Sequence, residues 1–432
     1  MKERYEGTGG SPTRKGLGRL FWRLYLGESA SAVGTAASVI ALPVVSLDNS
    51  GDVRLAGLIS TALSLGIVLA RLPAGVLADR YERRTLLLVC NSAGALVLGA
   101  LAALEAVGEA RWELLLGGAF LLGAVGSTLA PAENVAVRNF VDAALLPRAL
   151  ALIQSRAAVA MIVGPLAAGA LLKAEAAWVF AADAATYLVA AGFAALLPAG
   201  AGPRSDEQPP LQAVVEGLRF LLRSPFLCYG ALNATVLNLV FNGLLIVIIA
   251  SAEGAGAGSL DIGVQTAALG TGALAGSFAA APVARRLPAG PGIACSTGVV
   301  AAALLGFALV HSTLGAALLL AVATAAGPVI TVIITSTQMR LTPSRLQGRV
   351  HSGSGFLSQS IAPFGPALAG AGSHAFGLAP TVAGAAVVVL LLAVSGGLVA
   401  ARHGVTSGEY EASGGCKVSE GFEGESMEAK RG

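Results

Sequence analysis

Twelve apolar segments, each of roughly 20 residues, recur along this chain. A run of that length is what an α-helix needs to cross a bilayer. The segments lie at 20–46, 54–77, 85–106, 113–137, 149–172, 176–197, 226–250, 260–284, 292–311, 314–338, 350–372 and 379–401. Composition excludes the soluble alternative. Only 12% of the 432 residues are charged, where a soluble domain carries about a quarter. The 56 glycines fit helices that approach closely in lipid, where small side chains bring backbones together. The first apolar run begins near Leu20 after a polar, basic segment. It is too long for a signal peptide and reads as a retained first membrane helix.

The expected fold class is therefore an all-α membrane protein of twelve transmembrane helices. Between the sixth and seventh segments lies a polar stretch containing PRSDEQPP, followed by LQAVVEGLRFLLRSP. The second piece reads as a short amphipathic helix on the membrane surface. The chain then divides into a cytoplasmic segment 1–19, a six-helix bundle 20–198, a central linker 199–225, a second six-helix bundle 226–402 and a disordered tail 403–432.

Charge placement sets the expected orientation. With both ends in the cytoplasm, Arg54, Arg111 and Lys173 fall outside, while 25 of the 28 Lys and Arg residues fall inside or in cytoplasmic helix halves. That asymmetry follows the positive-inside rule. The net charge of +3 gives no sign of a nucleic-acid partner. The cysteines are widely spaced and form no CxxC pair, so no metal or disulfide framework is expected.

The halves are related to each other. Residues 145–171 align without gaps on 346–372, placing Arg148 on Arg349, Gly164 on Gly365, Pro165 on Pro366 and Gly169 on Gly370. GVLADRYERR (75–84) ends the second segment much as APVARR (281–286) ends the eighth. Parallel six-helix repeats are a hallmark of one class of transporter architecture.

The decapeptide at 75–84 resembles the loop signature of the major facilitator superfamily, G-x-x-x-D-R-x-G-R-R. Gly75, Asp79, Arg80, Arg83 and Arg84 match it, and Glu82 stands where the family has Gly. The resemblance spans about residues 19–402 and implies two pseudo-symmetric six-helix bundles that work by alternating access. It also implies a cytoplasmic latch in which Asp79 caps a helix N-terminus and the arginines pair with acids such as Asp142. Helix one, LAPAENVAVRNFV, the GPxxxG of helix five and AADAATYL in helix six are most similar to the branch of enterobactin exporters and macrolide efflux proteins. Efflux members often carry further glycines before that Gly-Pro, where this chain has Ala151 and Ala160.

In the family that the chain resembles, helices one, four, seven and ten line the central cavity. Three of them carry polar stripes here: Glu28, Ser31 and Thr35; Thr235, Asn238 and Asn242; and Thr324, Thr331, Thr335 and Gln338. Spacings of three, four and seven put these residues on one helix face. Ser31, Thr35, Thr235, Asn238, Asn242, Thr331, Thr335 and Gln338 are the candidate substrate-cavity residues, and Gly164, Pro165, Gly365 and Pro366 are candidate packing positions. Intramembrane charges are costly and mark function. Glu28, Arg71, Glu133, Arg156 and Asp183 are the candidates for proton coupling or a cytoplasmic gate.

No Walker-type phosphate loop, metal-ligand cluster or nucleophile–base pair is present in the sequence, so neither an enzyme nor a cofactor is expected. The expected function is proton-coupled efflux of amphipathic small molecules such as drugs, antibiotics or siderophores, by a monomer in the cell's plasma membrane. The alternatives are a proton-coupled importer of a small nutrient and a non-transporting receptor or scaffold. The orientation is testable with reporter fusions. Those at residues 205 and 410 are expected inside and one at residue 255 outside; a tail reporter reading outside overturns the assignment.

Overall fold

The computed structural model describes residues 17–141, 145–198, 218–254, 256, 258–310, 312–342 and 346–403. Among them the structure is helical, with no strand. The first six helices are α1 Gly18–Ser50, α2 Val53–Arg80, α3 Arg83–Ala106, α4 Trp112–Phe140, α5 Leu146–Ala174 and α6 Ala176–Ala195. The next four are α7 Pro225–Gly254, α8 Ser259–Arg286, α9 Ala289–Leu309 and α10 Thr313–Leu341. They are followed by α11 Gln347–Ser360, a 3-10 turn Ala362–Phe364, α12 Gly365–Phe376 and α13 Leu378–His403. Of the surface segment expected before α7, residues 218–225 are described; 218–223 are helical and Ser224 is a bend leading into α7. The tail from 404 and the linker residues 199–217 lie outside the described residues, as does Asp142.

Eleven of these helices are long and apolar enough to cross a membrane. The remaining span, the eleventh in chain order and expected as one segment over 350–372, is instead two short helices, α11 and α12, joined by a 3-10 turn. Proline explains the break. Pro363 and Pro366 lie three residues apart, and each removes a backbone donor and crowds the preceding turn. The equivalent stretch of α5 has Pro165 alone, with Ile162 where the second half has Pro363, and α5 runs through unbroken. The restart leaves N–H groups at the head of α12 without helical partners. One of them, Ala367 N–H, donates to Thr61 Oγ1 at 3.0 Å.

The chain divides into two compact units, Met1–Asn49 with Ala62–Asp206 and Ser50–Thr61 with Glu207–Gly432. In the first unit α3 packs along α6 and α4; in the second α9 packs along α13 and α10. The sequence repeat is visible in the backbone. Leu145 and Leu346, 201 positions apart, precede helices with nearly the same dihedrals, φ −99°, ψ −6° and φ −105°, ψ −8°. Glycines set the closest approaches. A Cβ at Gly164 would meet Ala36 of α1, and one at Gly365 would meet the Leu239 carbonyl of α7. The repeat therefore places the same kind of contact, fifth helix on first, in each half.

Gly365→Ala is accordingly expected to lower stability by about 1–3 kcal/mol, the usual range for overpacking a tight site. Gly298→Ala, where a Cβ meets nothing within 4 Å, is expected to leave it unchanged or slightly raised. Thermal midpoints of the two purified proteins in one detergent check the contrast.

Candidate functional site

The first unit holds a buried charge cluster. Arg156 of α5 grips Glu133 of α4 through two parallel bonds, Nη1 to Oε1 at 2.6 Å and Nη2 to Oε2 at 2.8 Å. This fork-on-fork geometry is the strongest form of the pair. The Tyr25 ring of α1 lies 6.0 Å from the guanidinium carbon, close enough for a cation–π contact. One turn further along the same face sits Glu28, 7% exposed. It accepts a 3.1 Å bond from Asn91 Nδ2 of α3 and lies within electrostatic reach of both Glu133 and Arg156. Three of the five intramembrane charges expected to serve coupling or a cytoplasmic gate, Glu28, Glu133 and Arg156, therefore lie together. Arg71 is exposed and makes no ion pair among the described residues.

Further along α1, Ser31 is buried and the Thr35 hydroxyl donates to Tyr187 of α6 at 3.1 Å. Gly94 of α3 makes room for that ring: a Cβ there would lie 2.6 Å from it. The stripe Glu28, Ser31 and Thr35 thus turns toward α3 and α6. Asp183 of α6 is 1% exposed, and its Oδ1 accepts the Thr186 hydroxyl at 3.0 Å. Thr35, Asp183 and Arg71 share the lining of a cavity of about 580 Å³ inside this unit.

The second unit carries a different kind of site. Asn238 of α7 and Thr331, Thr335 and Gln338 of α10 line one cavity of about 340 Å³, together with His351 and Ser354 of α11. Ser354 donates to Gln338 Oε1 at 3.3 Å. The other stripe members point elsewhere. Thr235 bonds the Ala231 and Leu357 carbonyls, and exposed Asn242 bonds the Asn238 carbonyl. Thr324 bonds its own helix and abuts Gly272 of α8. Where α1 and α3 are joined by Glu28 and Asn91, α7 and α9 are joined by Asn233 and Thr297 at 3.0 Å. The second linkage contains no ionisable carboxylate.

Sequence reasoning missed Tyr25, Asn91, Tyr187, His351 and Ser354. The polar run HSGSGFLSQS at 351–360 was the available signal for α11. Asn91 and Tyr187 are single polar residues in apolar helices, and only packing shows whom they face. In the loop signature, α2 ends at Arg80 and α3 begins at Arg83, while the side chains of Asp79, Arg80 and Arg83 lie outside the described residues. Arg84 is half-buried. Glu82, in the family's glycine position, has φ −61° and ψ 129°, a conformation open to any residue. Its Oε2 accepts the Thr85 hydroxyl at 3.0 Å, and its charge sits favourably at the α3 N-terminus.

The family description "Major Facilitator Superfamily" matches residues 24–366. The multidrug efflux pump LfrA of Mycolicibacterium smegmatis is 34% identical over 143 residues, 33% of this chain and 27% of the pump. The chain thus matches about a quarter of that relative's length. Among solved structures, a bacterial homolog of the human lysosomal transporter Spinster superposes with TM-score 0.70 at 16% identity, covering 91% of this chain and 98% of that one. The nucleoside transporter NupG superposes at 0.71 with 13% identity, covering 88% and 99%. A bacterial homologue of the iron transporter ferroportin superposes at 0.64 with 16% identity, covering 88% and 98%.

Removing one partner of a buried ion pair strands the other. Arg156→Met is therefore expected to destabilise the protein by about 3–5 kcal/mol. Adding Glu133→Gln to it is expected to recover part of that loss. Thermal midpoints of single and double variants measure the coupling; no recovery in the double variant shows that the pair is not the source.

Proposed function

The chain belongs to the Major Facilitator Superfamily, and from that membership we propose that it exports amphipathic small molecules in exchange for protons. It is a multi-pass membrane transporter and not an enzyme. The reading places it in the plasma membrane as a monomer with both termini in the cytoplasm, as the Lys and Arg asymmetry favours.

One observation carries the coupling. The buried cluster of the first unit has two carboxylates, Glu28 and Glu133, for one guanidinium, Arg156. With both carboxylates ionised the cluster keeps one negative charge in excess, and one proton makes it neutral. A proton on Glu133 also removes an acceptor from the bidentate grip and frees Arg156. A single close charge pair at low dielectric is worth enough to bias two states a few kcal/mol apart. The polar cavity of the second unit has no carboxylate among its described lining residues, which supports the first unit as the proton-handling half. Efflux is favoured over uptake by the partial similarity to a multidrug efflux pump and by the apolar, Thr- and Asn-bearing stripes.

Two measurements test this. In an efflux-deficient host, expression is expected to raise resistance to amphipathic compounds in a drug panel and to lower their accumulation; accumulation of substrate instead reverses the assigned direction. In vesicles, Glu28→Gln or Glu133→Gln is expected to abolish substrate-driven proton movement while substrate binding persists. If both variants still move protons, the cluster is structural.

A further inference from the structure

We propose that the cavity lined by α1, α2, α4 and α6 of the first unit is a binding site for an amphipathic cation, with Asp183 as its counter-ion. This deepens the efflux reading and rests on it for the class of substrate. The walls are apolar, built from Val39, Leu42, Leu63, Ile67 and Leu122. The volume of about 580 Å³ falls in the range of small-molecule pockets, roughly 300–1,000 Å³. Asp183 supplies the one carboxylate among the described lining residues. Its Oδ1 is engaged by Thr186. Its Oδ2 is buried and faces the Ser38 hydroxyl, outside good hydrogen-bond geometry, so no positive group among the described residues meets the carboxylate.

An ionised carboxylate so enclosed is costly unless a positive group joins it. An entering cation supplies that group, and its apolar body covers the walls. Arg71, the one cation among the described lining residues, does not supply it, because it makes no ion pair with Asp183. Its exposed guanidinium is screened by solvent or headgroups, whereas the buried carboxylate is not. The helix positions fit a site held open by design of the sequence. A Cβ at Gly34 would strike Asp183 Oδ1, so glycine lets the carboxylate lie against α1. At Gly123 a Cβ would strike the Leu63 carbonyl, which fixes the close crossing of α2 and α4. Gly126 differs: it lines the cavity and a Cβ there meets nothing within 4 Å. A larger side chain at that position therefore enters the empty space without disturbing the packing.

The test uses the full chain in nanodiscs and equilibrium dialysis against tetraphenylphosphonium, with tetraphenylborate as an anion of the same shape and empty nanodiscs as the blank. Saturable binding of the phosphonium well above that of the borate is expected. Asp183→Asn, which removes charge but no volume, is expected to weaken phosphonium binding by about tenfold or more, the scale of a charge-assisted contact. Gly126→Leu, which removes volume but no charge, is expected to weaken it similarly, and Gly298→Ala in the second unit to leave it unchanged. If one variant fails to elute as a folded protein, the other still decides. Wild-type affinity in the folded variants, or equal binding of phosphonium and borate, overturns the site. Asp183→Asn that keeps phosphonium binding but loses proton movement also overturns it and moves Asp183 to the coupling machinery. Binding is read without a gradient. Loss of export in cells with binding retained counts against the efflux reading and leaves the site standing.

Discussion

The interior of a bilayer offers no water to a backbone N–H or C=O, so every such group must find its partner within the chain. That constraint dictates helices throughout the described residues and limits where a helix can stop. The break between α11 and α12 is informative for this reason. Pro363 and Pro366 force it, and Thr61 Oγ1 takes up one of the N–H groups it releases. A broken helix at membrane depth persists only where protein or a cavity receives its polar groups. Here α11 presents His351 and Ser354 to the polar cavity of the second unit.

The second consequence of the solvent is that apolar burial does not drive these helices together. Close packing does, and small residues make it possible. Gly164 against Ala36, Gly365 against Leu239 and Gly123 against Leu63 are positions where a methyl group would force two backbones apart. Larger polar side chains are then admitted where a glycine faces them, as Gly94 admits Tyr187 and Gly34 admits Asp183.

The two halves share a backbone plan and differ in charge. Glu28, Glu133 and Asp183 are buried in the first unit, while the matching linkage of the second is the neutral set Asn233, Thr297 and Tyr229. Duplication supplies the architecture twice, and the proposed handling of a proton and a cationic ligand falls to the half that holds the buried carboxylates. The divergence of paired positions within one repeat separates the chemistry of the halves more clearly than composition does.

Much of this was legible from residue order alone. Lipid imposes a length and an apolarity on each span, so twelve spans stand out in the sequence, and the Gly-Pro pairs at 164 and 365 mark the repeat. Intramembrane charge is rare enough that Glu28, Glu133, Arg156 and Asp183 stand out as well. Which of them meet was not legible. Helical spacing tells that residues share a face but not which neighbour the face meets. The stripe of α1 meets α3 and α6, the pair Glu133–Arg156 forms between α4 and α5, and Arg71 is left out of it. The same limit hid Asn91 and Tyr187, whose roles come from partners 63 and 152 positions away in the chain. Length and polarity are properties of a segment and can be read along it. Partnership is a property of packing, and only the tertiary structure decides it.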